Sequence, residues 1–242
     1  YDLDDLSQQP ISSGQLVQAS LLPAGYNVAD TASFNSITTR AAVGYDWSDD
    51  LKTYVAFSTG YRPGGVADTP IGAFNFDRET TQNYEVGLRS SLFDDRLSIN
   101  ASAYYTRIKD IQVPFVFTFP GTLFGTSAVQ TNVGDAESYG GEVTVTALPS
   151  DGLALVANMG LSFTEITRFA PPAPPGTFGD VPDLTGSDLP NAPEFTLTLT
   201  GDYEFPREGI GGARPFVRAD YNLRSDFVGS LSASPTELDG YD

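Results

Sequence analysis

Residues 39–62 read TRAAVGYDWSDDLKTYVAFSTGYR, two runs of alternating apolar and polar residues separated by a short acidic turn. In the first run Tyr45 lies on the apolar parity and Arg40 on the polar one. In the second run Val55 is on the apolar parity and Lys52 on the polar one. Alternation with a period of two is typical of a β-strand with unlike faces, and a Ser-Asp-Asp connection favours a tight turn. The stretch therefore predicts an antiparallel hairpin with one apolar and one polar face.

The same pattern recurs along the chain and predicts eight long strands, with no helix. The predicted strands cover residues 39–47, 51–62, 84–89, 97–106, 139–147, 153–163, 195–205 and 217–224. Short turns near Asp49, Asp94 and Ser150 alternate with long loops at 62–78, 107–132 and 165–193. Connections that are short at one end and long at the other are typical of an up-and-down antiparallel meander across a membrane.

The composition excludes several classes of function. The 242 residues include no His and no Cys, so there are no disulfides, no thiol or imidazole catalysis and no Cys- or His-ligated metal. A net charge of −18 opposes binding to nucleic acid. No run approaches the roughly 18–20 apolar residues of a membrane-spanning helix. The sequence predicts no catalytic residue, no metal site, no cofactor and no enzymatic activity.

The apolar parity could face either lipid or the core of a soluble β-sandwich. Its aromatic residues gather at the strand ends, as in the two interfacial girdles of a membrane barrel. We expect interface positions for Tyr45, Trp47 and Phe205 near the short turns, and for Tyr61, Tyr105, Phe163 and Phe195 near the long loops. Charges occupy the other parity, and we expect Arg40, Lys52, Glu85, Arg89, Glu142 and Arg218 to face a wet lumen. These patterns favour a membrane barrel.

Four motifs follow one another in a fixed order. They are Gly60-Tyr61-Arg62-Pro63-Gly64-Gly65; Phe76-Asp77-Arg78-Glu79-Thr80 with Tyr84-Glu85-Val86-Gly87-Leu88-Arg89; Asn132-Val133-Gly134-Asp135-Ala136 with Ser138-Tyr139-Gly140-Gly141-Glu142; and Leu189-Pro190-Asn191-Ala192-Pro193. In this order they resemble the barrel of TonB-dependent outer-membrane receptors, over about residues 34–225. Two departures are mild: Arg78 stands where proline is usual, and Arg89 where lysine is common.

The resemblance implies a barrel of about 22 strands closed around an N-terminal plug. It also implies import of a scarce nutrient such as a ferric siderophore across the outer membrane of a Gram-negative bacterium. The implied partners are the lipid bilayer, the nutrient, and the plug and TonB through an N-terminal part. We expect the chain to be an internal piece of about eight strands, without the plug. Its expected divisions are an extracellular loop region at 1–33, strands with periplasmic turns and extracellular loops at 34–228, and the start of another extracellular loop at 229–242.

The long loops contain the candidate ligand contacts. These candidates are Arg62, Phe74, Phe76, Phe115 and Phe117. Exposed rings suit planar ligands, but packing between loops explains the aromatic residues equally well, and the Arg-Pro-Gly-Gly stretch also fits a simple turn. Two other functions stay open at this point: a complete eight-stranded barrel with a structural or adhesive role, and a soluble β-sandwich that binds glycans.

Overall fold

The computed structural model describes residues 35–69, 72–118, 126–171, 183–206, 214–230 and 236–238. The predicted region 1–33 lies outside these ranges, as does most of 229–242. The strands are β1 (Arg40–Ser48), β2 (Leu51–Arg62), β3 (Gly65–Thr69), β4 (Gly72–Phe76), β5 (Glu79–Leu92), β6 (Leu97–Lys109), β7 (Gln112–Thr118), β8 (Thr126–Asn132), β9 (Gly134–Ser150), β10 (Leu153–Phe169), β11 (Phe195–Glu204), β12 (Phe216–Arg224), β13 (Phe227–Ser230) and β14 (Thr236–Leu238). Within the described ranges, no helix could cross a membrane.

Eight strands form one antiparallel sheet in the order β1-β2-β5-β6-β9-β10-β11-β12. They correspond to the eight predicted strands, so the predicted all-β antiparallel meander is confirmed. In the described part of the chain, the edge strands β1 and β12 do not pair with each other, and the sheet is open. An open edge is incompatible with a closed eight-stranded barrel, which leaves no edge unpaired.

The register aligns the apolar parity of all eight strands. Val43 of β1 pairs with Val55 of β2, which in turn pairs with Val86 of β5. At the other end of the sheet, Leu197 of β11 lies between Met159 and Leu223. The result is one continuous apolar face, and much of it is open: Val43 is 71% exposed. A soluble sandwich would cover such a face with a second sheet, and the described residues supply none.

The short turns occur where they were predicted. Asp49 and Asp50 connect β1 to β2, residues 93–96 connect β5 to β6, and Asp151 and Gly152 connect β9 to β10. Gly152 is required at its position, because its φ is +81° and a Cβ atom would lie 2.3 Å from the carbonyl oxygen of Glu204. All three turns lie at the same end of the strands, which we call the short-turn edge. The strand ends on the opposite side form the long-loop edge.

Two of the predicted loops contain hairpins. The loop predicted at 62–78 includes the β3–β4 pair, and the loop predicted at 107–132 includes the β7–β8 pair. Some main strands are also longer than predicted: β9 and β10 each have 17 residues. The β7 run is only 7 residues long and contains a proline. Such a run gives little periodicity, and proline occurs mostly in edge strands.

The hydrophobic core lies at the long-loop edge, against the polar face of the sheet. The chain bends between β6 and β7 at Asp110, whose φ is +54°, and between β8 and β9 at Gly134, whose φ is +134°. These two bends together fold the β7–β8 hairpin over the polar face of the sheet. Ile166 and Ala136 lie on the polar parity of β10 and β9 and belong to the same buried cluster as Phe115 of β7. We call this cluster the loop core; its buried members are Ile111, Val113, Phe115, Phe117, Val129, Val133, Ala136, Ile166 and Leu184.

Candidate functional site

The polar face of the sheet contains all six residues that were expected to face a lumen. They are Arg40, Lys52, Glu85, Arg89, Glu142 and Arg218. At the centre, the hydroxyl of Tyr54 donates a hydrogen bond of 2.5 Å to Glu85, and the guanidinium of Arg89 lies 5.6 Å from the centre of the Tyr54 ring. The polar face is therefore a connected surface of charges and hydroxyl groups.

Charges on the polar face compensate one another. Lys52 lies 3.5 Å from Asp46 on the neighbouring strand. Arg218 lies 3.6 Å from Asp202 and 3.0 Å from Asp220. These pairs are exposed, so each contributes little to stability. The polar face thus carries exposed charges of both signs, as a polar lumen surface would.

Two glycines in the motifs are explained by tyrosines that lie over them. Tyr54 pairs with Gly87 across β2 and β5, and a Cβ atom on Gly87 would lie 2.2 Å from its ring. Tyr104 pairs with Gly140 across β6 and β9; a Cβ atom there would lie 2.9 Å from its hydroxyl oxygen and only 2.0 Å from the backbone carbonyl oxygen of Leu161. A ring covering a strand glycine restores the contact area that the missing side chain would have made.

An aromatic row crosses five adjacent strands near the long-loop edge of the apolar face. We call it the outer aromatic row; it consists of Phe57, Tyr84, Tyr105, Tyr139 and Phe163, each paired with the next. The ring centres of Phe57 and Tyr84 are 5.1 Å apart, and those of Tyr139 and Phe163 are 5.5 Å apart. Such a row has the form of an interfacial girdle.

The sequence analysis predicted only two of the five members of this row as interface residues. Tyr105 and Phe163 lie in it, whereas Tyr61 lies four residues beyond Phe57 toward the loops and Phe195 pairs with Leu161, closer to the sheet centre. Sequence reasoning missed Phe57, Tyr84 and Tyr139. Counting residues outward from the β5–β6 turn would have paired Tyr84 with Tyr105, because that hairpin has no register shift. The β1–β2 and β9–β10 hairpins each have a shift near the turn, so the same counting does not align Phe57 and Tyr139.

Aromatic side chains also mark the short-turn edge of the apolar face. The rings of Tyr45 and Trp47 meet edge to face at 4.7 Å, and those of Tyr203 and Phe205 at 4.9 Å. The indole nitrogen of Trp47 donates a hydrogen bond of 2.9 Å to Thr53. The apolar face is thus bordered by aromatic groups at both edges.

At the long-loop edge, Gln112 joins two of the motifs, both far from it in sequence. It is 4% exposed, and its side-chain nitrogen donates to the carbonyl oxygens of Pro63 and Asp77, each at 2.9 Å. Its backbone N–H donates to Glu79 at 2.7 Å, and its carbonyl oxygen accepts from Arg62 at 3.1 Å. Gln112 therefore fastens the β7–β8 hairpin to the ends of β2 and β5.

Asn132 and Asp135 complete this network from the other side of the hairpin. The side-chain nitrogen of Asn132 donates to the carbonyl oxygens of Asp77 at 2.9 Å and Asp110 at 2.6 Å. Arg168 donates two hydrogen bonds to Asp135, at 2.8 and 3.0 Å. Asn132 thus joins the end of β8 to the bend at Asp110, and the Arg168–Asp135 pair joins the end of β10 to the start of β9. These residues hold the loops in place.

The Arg168 guanidinium beside Asp135 holds the pKa of that carboxyl below its ordinary value. Partial burial acts in the opposite direction, and the hydrogen bond from the Asp110 amide adds to the effect of Arg168. Asp135 lies four residues beyond Tyr139 of the outer aromatic row, outside the apolar band. The carboxyl therefore stays ionised at the bend where β8 joins β9.

The candidate ligand contacts lie in different surroundings. Phe115 and Phe117 are only 2% and 3% exposed within the loop core, which favours the alternative of loop packing for these two rings. Phe74 packs partly buried against the same core. The Phe76 ring covers Gly65, where a Cβ atom would lie 2.8 Å from it. Arg62 pairs with Glu79 at 3.6 Å, so it contributes to the network that holds the hairpin.

The face of the hairpin opposite the loop core was not identified from the sequence. Val116 is 42% exposed, and Pro114 and Ala128 are exposed beside it. Because the core side of the hairpin rests on the polar face of the wall, these three residues point away from the wall. In the described ranges, no group of three or more acidic side chains is arranged to hold a metal ion.

A comparison with family models finds the TonB dependent receptor-like β-barrel over residues 12–242. Among curated relatives, the metal-pseudopaline receptor CntO of Pseudomonas aeruginosa is 26% identical over 204 residues, which cover 84% of this chain and 26% of CntO. The probable TonB-dependent siderophore receptor PiuA of Acinetobacter baumannii is 22% identical, over 78% of this chain and 25% of PiuA. The chain thus spans about a quarter of the length of these relatives.

Solved structures share the fold. The ferric yersiniabactin uptake receptor FyuA of Yersinia pestis matches with a TM-score of 0.61 and 21% identity, over 84% of this chain and 28% of FyuA. The PiuA structure matches with a TM-score of 0.63 and 19% identity, over 84% of this chain and 28% of PiuA. With a family model that covers nearly the whole sequence and a sheet of the same architecture, the chain belongs to the TonB-dependent receptor β-barrel family.

Proposed function

We propose that this chain forms part of the barrel wall and extracellular loops of an outer-membrane receptor that imports a chelated metal, with a ferric siderophore as the substrate class. The observation that carries the proposal is the sheet itself, with one apolar face bordered by aromatic groups at both edges and one hydrated face of compensated charges. A surface of that kind suits a wall between lipid and an aqueous lumen. The named receptors for metal-pseudopaline, siderophore and ferric yersiniabactin support this substrate class.

The wall has no catalytic role in this proposal. Its short-turn edge lies in the periplasm and its long-loop edge outside the cell, in a Gram-negative outer membrane. The plug and TonB act through an N-terminal part of the complete protein. The lumen-facing residues contact the plug or the water of the passage; they are Arg40, Lys52, Glu85, Arg89, Glu142 and Arg218.

The β7–β8 hairpin forms part of the substrate contact in this proposal. The loop core holds one side of the hairpin against the polar face, and Pro114, Val116 and Ala128 are exposed on the opposite side. In the complete barrel, that side would face the axis of the mouth. An apolar surface at that place suits the organic shell of a metal chelate. Phe76 and Arg62 do not contact the substrate in this proposal; they hold the loop ends that surround the hairpin.

The test is uptake by the complete natural protein in iron-starved cells that lack their own receptors. We expect saturable accumulation of at least one labelled metal chelate, abolished by a protonophore. A variant with Val116→Glu should lose uptake, while the variant Val43→Ala on the lipid side should keep it. A correctly inserted, heat-modifiable barrel that binds and imports no metal chelate from a broad panel would contradict the proposal.

A further inference from the structure

Charge is distributed unevenly over the polar face of the sheet. Five charged side chains lie on the polar face of β1, β2 and β5, which we call the charged panel; they are Arg40, Asp46, Lys52, Glu85 and Arg89. Both signs of charge are present, and Lys52 lies 3.5 Å from Asp46. A solute with a charge of either sign would therefore find an oppositely charged partner on this panel.

The polar face changes in character between β5 and β6. We call the polar-face residues within 98–104, 140–146, 156–162 and 196–200 the neutral panel, because Glu142 is the one charged residue among them. The other residues are Ser, Thr, Asn, Gly, Val and Tyr. Apart from the tyrosine, their side chains are short, so this panel projects less far into the lumen than the Arg and Lys side chains of the charged panel.

Charged residues occur at the border of the neutral panel and at one place inside it. On the side of the short turns, Asp202 lies 3.6 Å from Arg218. Glu142 lies inside the panel, between Ser102 and Gly160 of the neighbouring strands. The part of the panel between these two places carries no charged residue across four adjacent strands.

One row of side chains shows the chemistry of this uncharged part. The row crosses five strands through direct pairs, and we call it the neutral row; it consists of Asn100, Thr144, Asn158, Thr198 and Asn222. The hydroxyl of Thr144 donates to the side-chain oxygen of Asn158 at 2.9 Å, and that of Thr198 donates to Asn222 at 2.9 Å. Within the described part of the chain, the side-chain N–H groups of both asparagines remain available. Because Asn158 and Asn222 are two strands apart, these donors repeat about every 10 Å.

The same row is charged on the other panel, where it continues from Asn100 to Arg89, Lys52 and Asp46. A hydrogen bond to a charged group is about twice as strong as one between neutral groups. A solute in passage needs contacts that are favourable enough to replace water and weak enough to break at each step. The neutral row meets this requirement, whereas its charged continuation would retain a charged solute.

We propose that the metal chelate passes through the lumen along the neutral panel, where the asparagines of the neutral row exchange hydrogen bonds with the polar atoms of its shell. The short side chains leave room for the chelate, and neutral groups contact cationic and anionic chelates alike. The proposal rests on the proposed transport function. It deepens that function by naming the part of the wall that the substrate contacts after it leaves the mouth.

The experiment inserts a charge into one panel at a time in the complete protein, and measures uptake in iron-starved cells that lack their own receptors. The probes are a panel of radio-iron chelates that includes anionic ferric enterobactin and cationic ferrioxamine B. Asn158→Asp keeps the side-chain shape and still accepts the hydrogen bond from Thr144, so it changes the charge alone, and Asn158→Lys introduces the opposite sign. The matched controls are Ser58→Asp and Ser58→Lys, on the polar face of β2 in the charged panel.

For each chelate that the natural protein imports, both Asn158 variants should lower the maximal uptake rate by about 10-fold or more, because a new charge either holds or repels the passing solute. The affinity of the chelate at the cell surface should stay the same, since the β7–β8 hairpin is unchanged. The Ser58 controls should change the maximal rate by less than about 2-fold.

Equal maximal rates in the Asn158 and Ser58 variants would overturn the proposal, as would slow uptake in the Ser58 variants alone. Entry of a large antibiotic into cells with an Asn158 variant would also overturn it, because the asparagine would then be holding the plug in place. Heat-modifiable migration shows which variants are folded, and Asn100→Asp in the same row replaces an Asn158 variant that does not fold. A natural protein that imports no chelate removes the proposed transport function together with this path, whereas import at equal rates in all variants removes the path alone.

Discussion

Phe115→Ala should release the β7–β8 hairpin from the wall while leaving the barrel intact. The ring is 2% exposed and lies 5.0 Å from Phe117 and 5.9 Å from Phe169 between ring centres. Truncating such a buried phenylalanine costs about 3–5 kcal/mol, because packing is lost and a cavity remains. The eight-stranded sheet does not depend on this ring, since its hydrogen-bond ladders lie elsewhere.

The assay is hydrogen exchange of the backbone amides in β7 and β8, in the complete protein in micelles. A loss of that size raises the local opening constant by about 100-fold or more, up to complete opening of the hairpin. The matched control is Val116→Ala on the same strand, which is 42% exposed and should change protection by less than about 0.5 kcal/mol. Heat-modifiable migration should be the same in both variants. Equal protection in both variants would refute the loop core as the element that holds the hairpin.

Three further predictions concern the network and the wall. Gln112→Ala should increase protease cleavage in β3–β4, because the carbonyl oxygens of Pro63 and Asp77 lose their donor, which costs about 1–3 kcal/mol of stability in total. The control is Gln82→Ala at an exposed position. Equal cleavage of the two variants would contradict the role of Gln112. Protection of the β7–β8 amides from exchange should be constant above pH of about 5 and decline as the pH falls through the lowered pKa of Asp135, since a carboxyl with a lowered pKa stabilises the fold only while ionised. Asp135→Asn should remove this dependence. The same pH profile in Asp135→Asn and in the natural protein would be evidence against the Arg168 pair. Gly87→Ala should lower unfolding stability in urea by about 1–3 kcal/mol through the clash with Tyr54, and Tyr54→Ala should relieve part of that loss in a double-mutant cycle; strict additivity would exclude the contact.

Much of the wall could be predicted from the sequence, because its information is local. Alternation with a period of two places Val55 and Lys52 on opposite faces, and short turns fix the pairing of each hairpin. In the β5–β6 hairpin, residue counting outward from the turn gives every pair, from Leu92 with Leu97 to Thr80 with Lys109. The same counting pairs Tyr84 with Tyr105 in the outer aromatic row, whereas the pairing of Phe57 with Tyr84 spans a long loop and does not follow from counting.

The loop core and the network at its base could not be predicted in this way. Gln112 contacts residues 33 to 50 positions earlier in the chain, and no periodic pattern relates positions so far apart. The bend at Asp110 depends on a residue with positive φ, which the sequence alone does not require of an aspartate. Phe115 and Phe117 therefore read as loop aromatics, although the bend encloses them in a core.

The central claim is that the apolar parity of the sheet faces lipid and the polar parity faces water. Spin labels placed one at a time at residues 53–60 of β2, in the complete protein in bilayers, test it directly. We predict that collisions with oxygen peak at the positions of Val55 and Phe57, and that collisions with a water-soluble nickel chelate peak at Tyr54, Ala56 and Ser58. A profile without a period of two, or one with the two parities exchanged, would contradict the account.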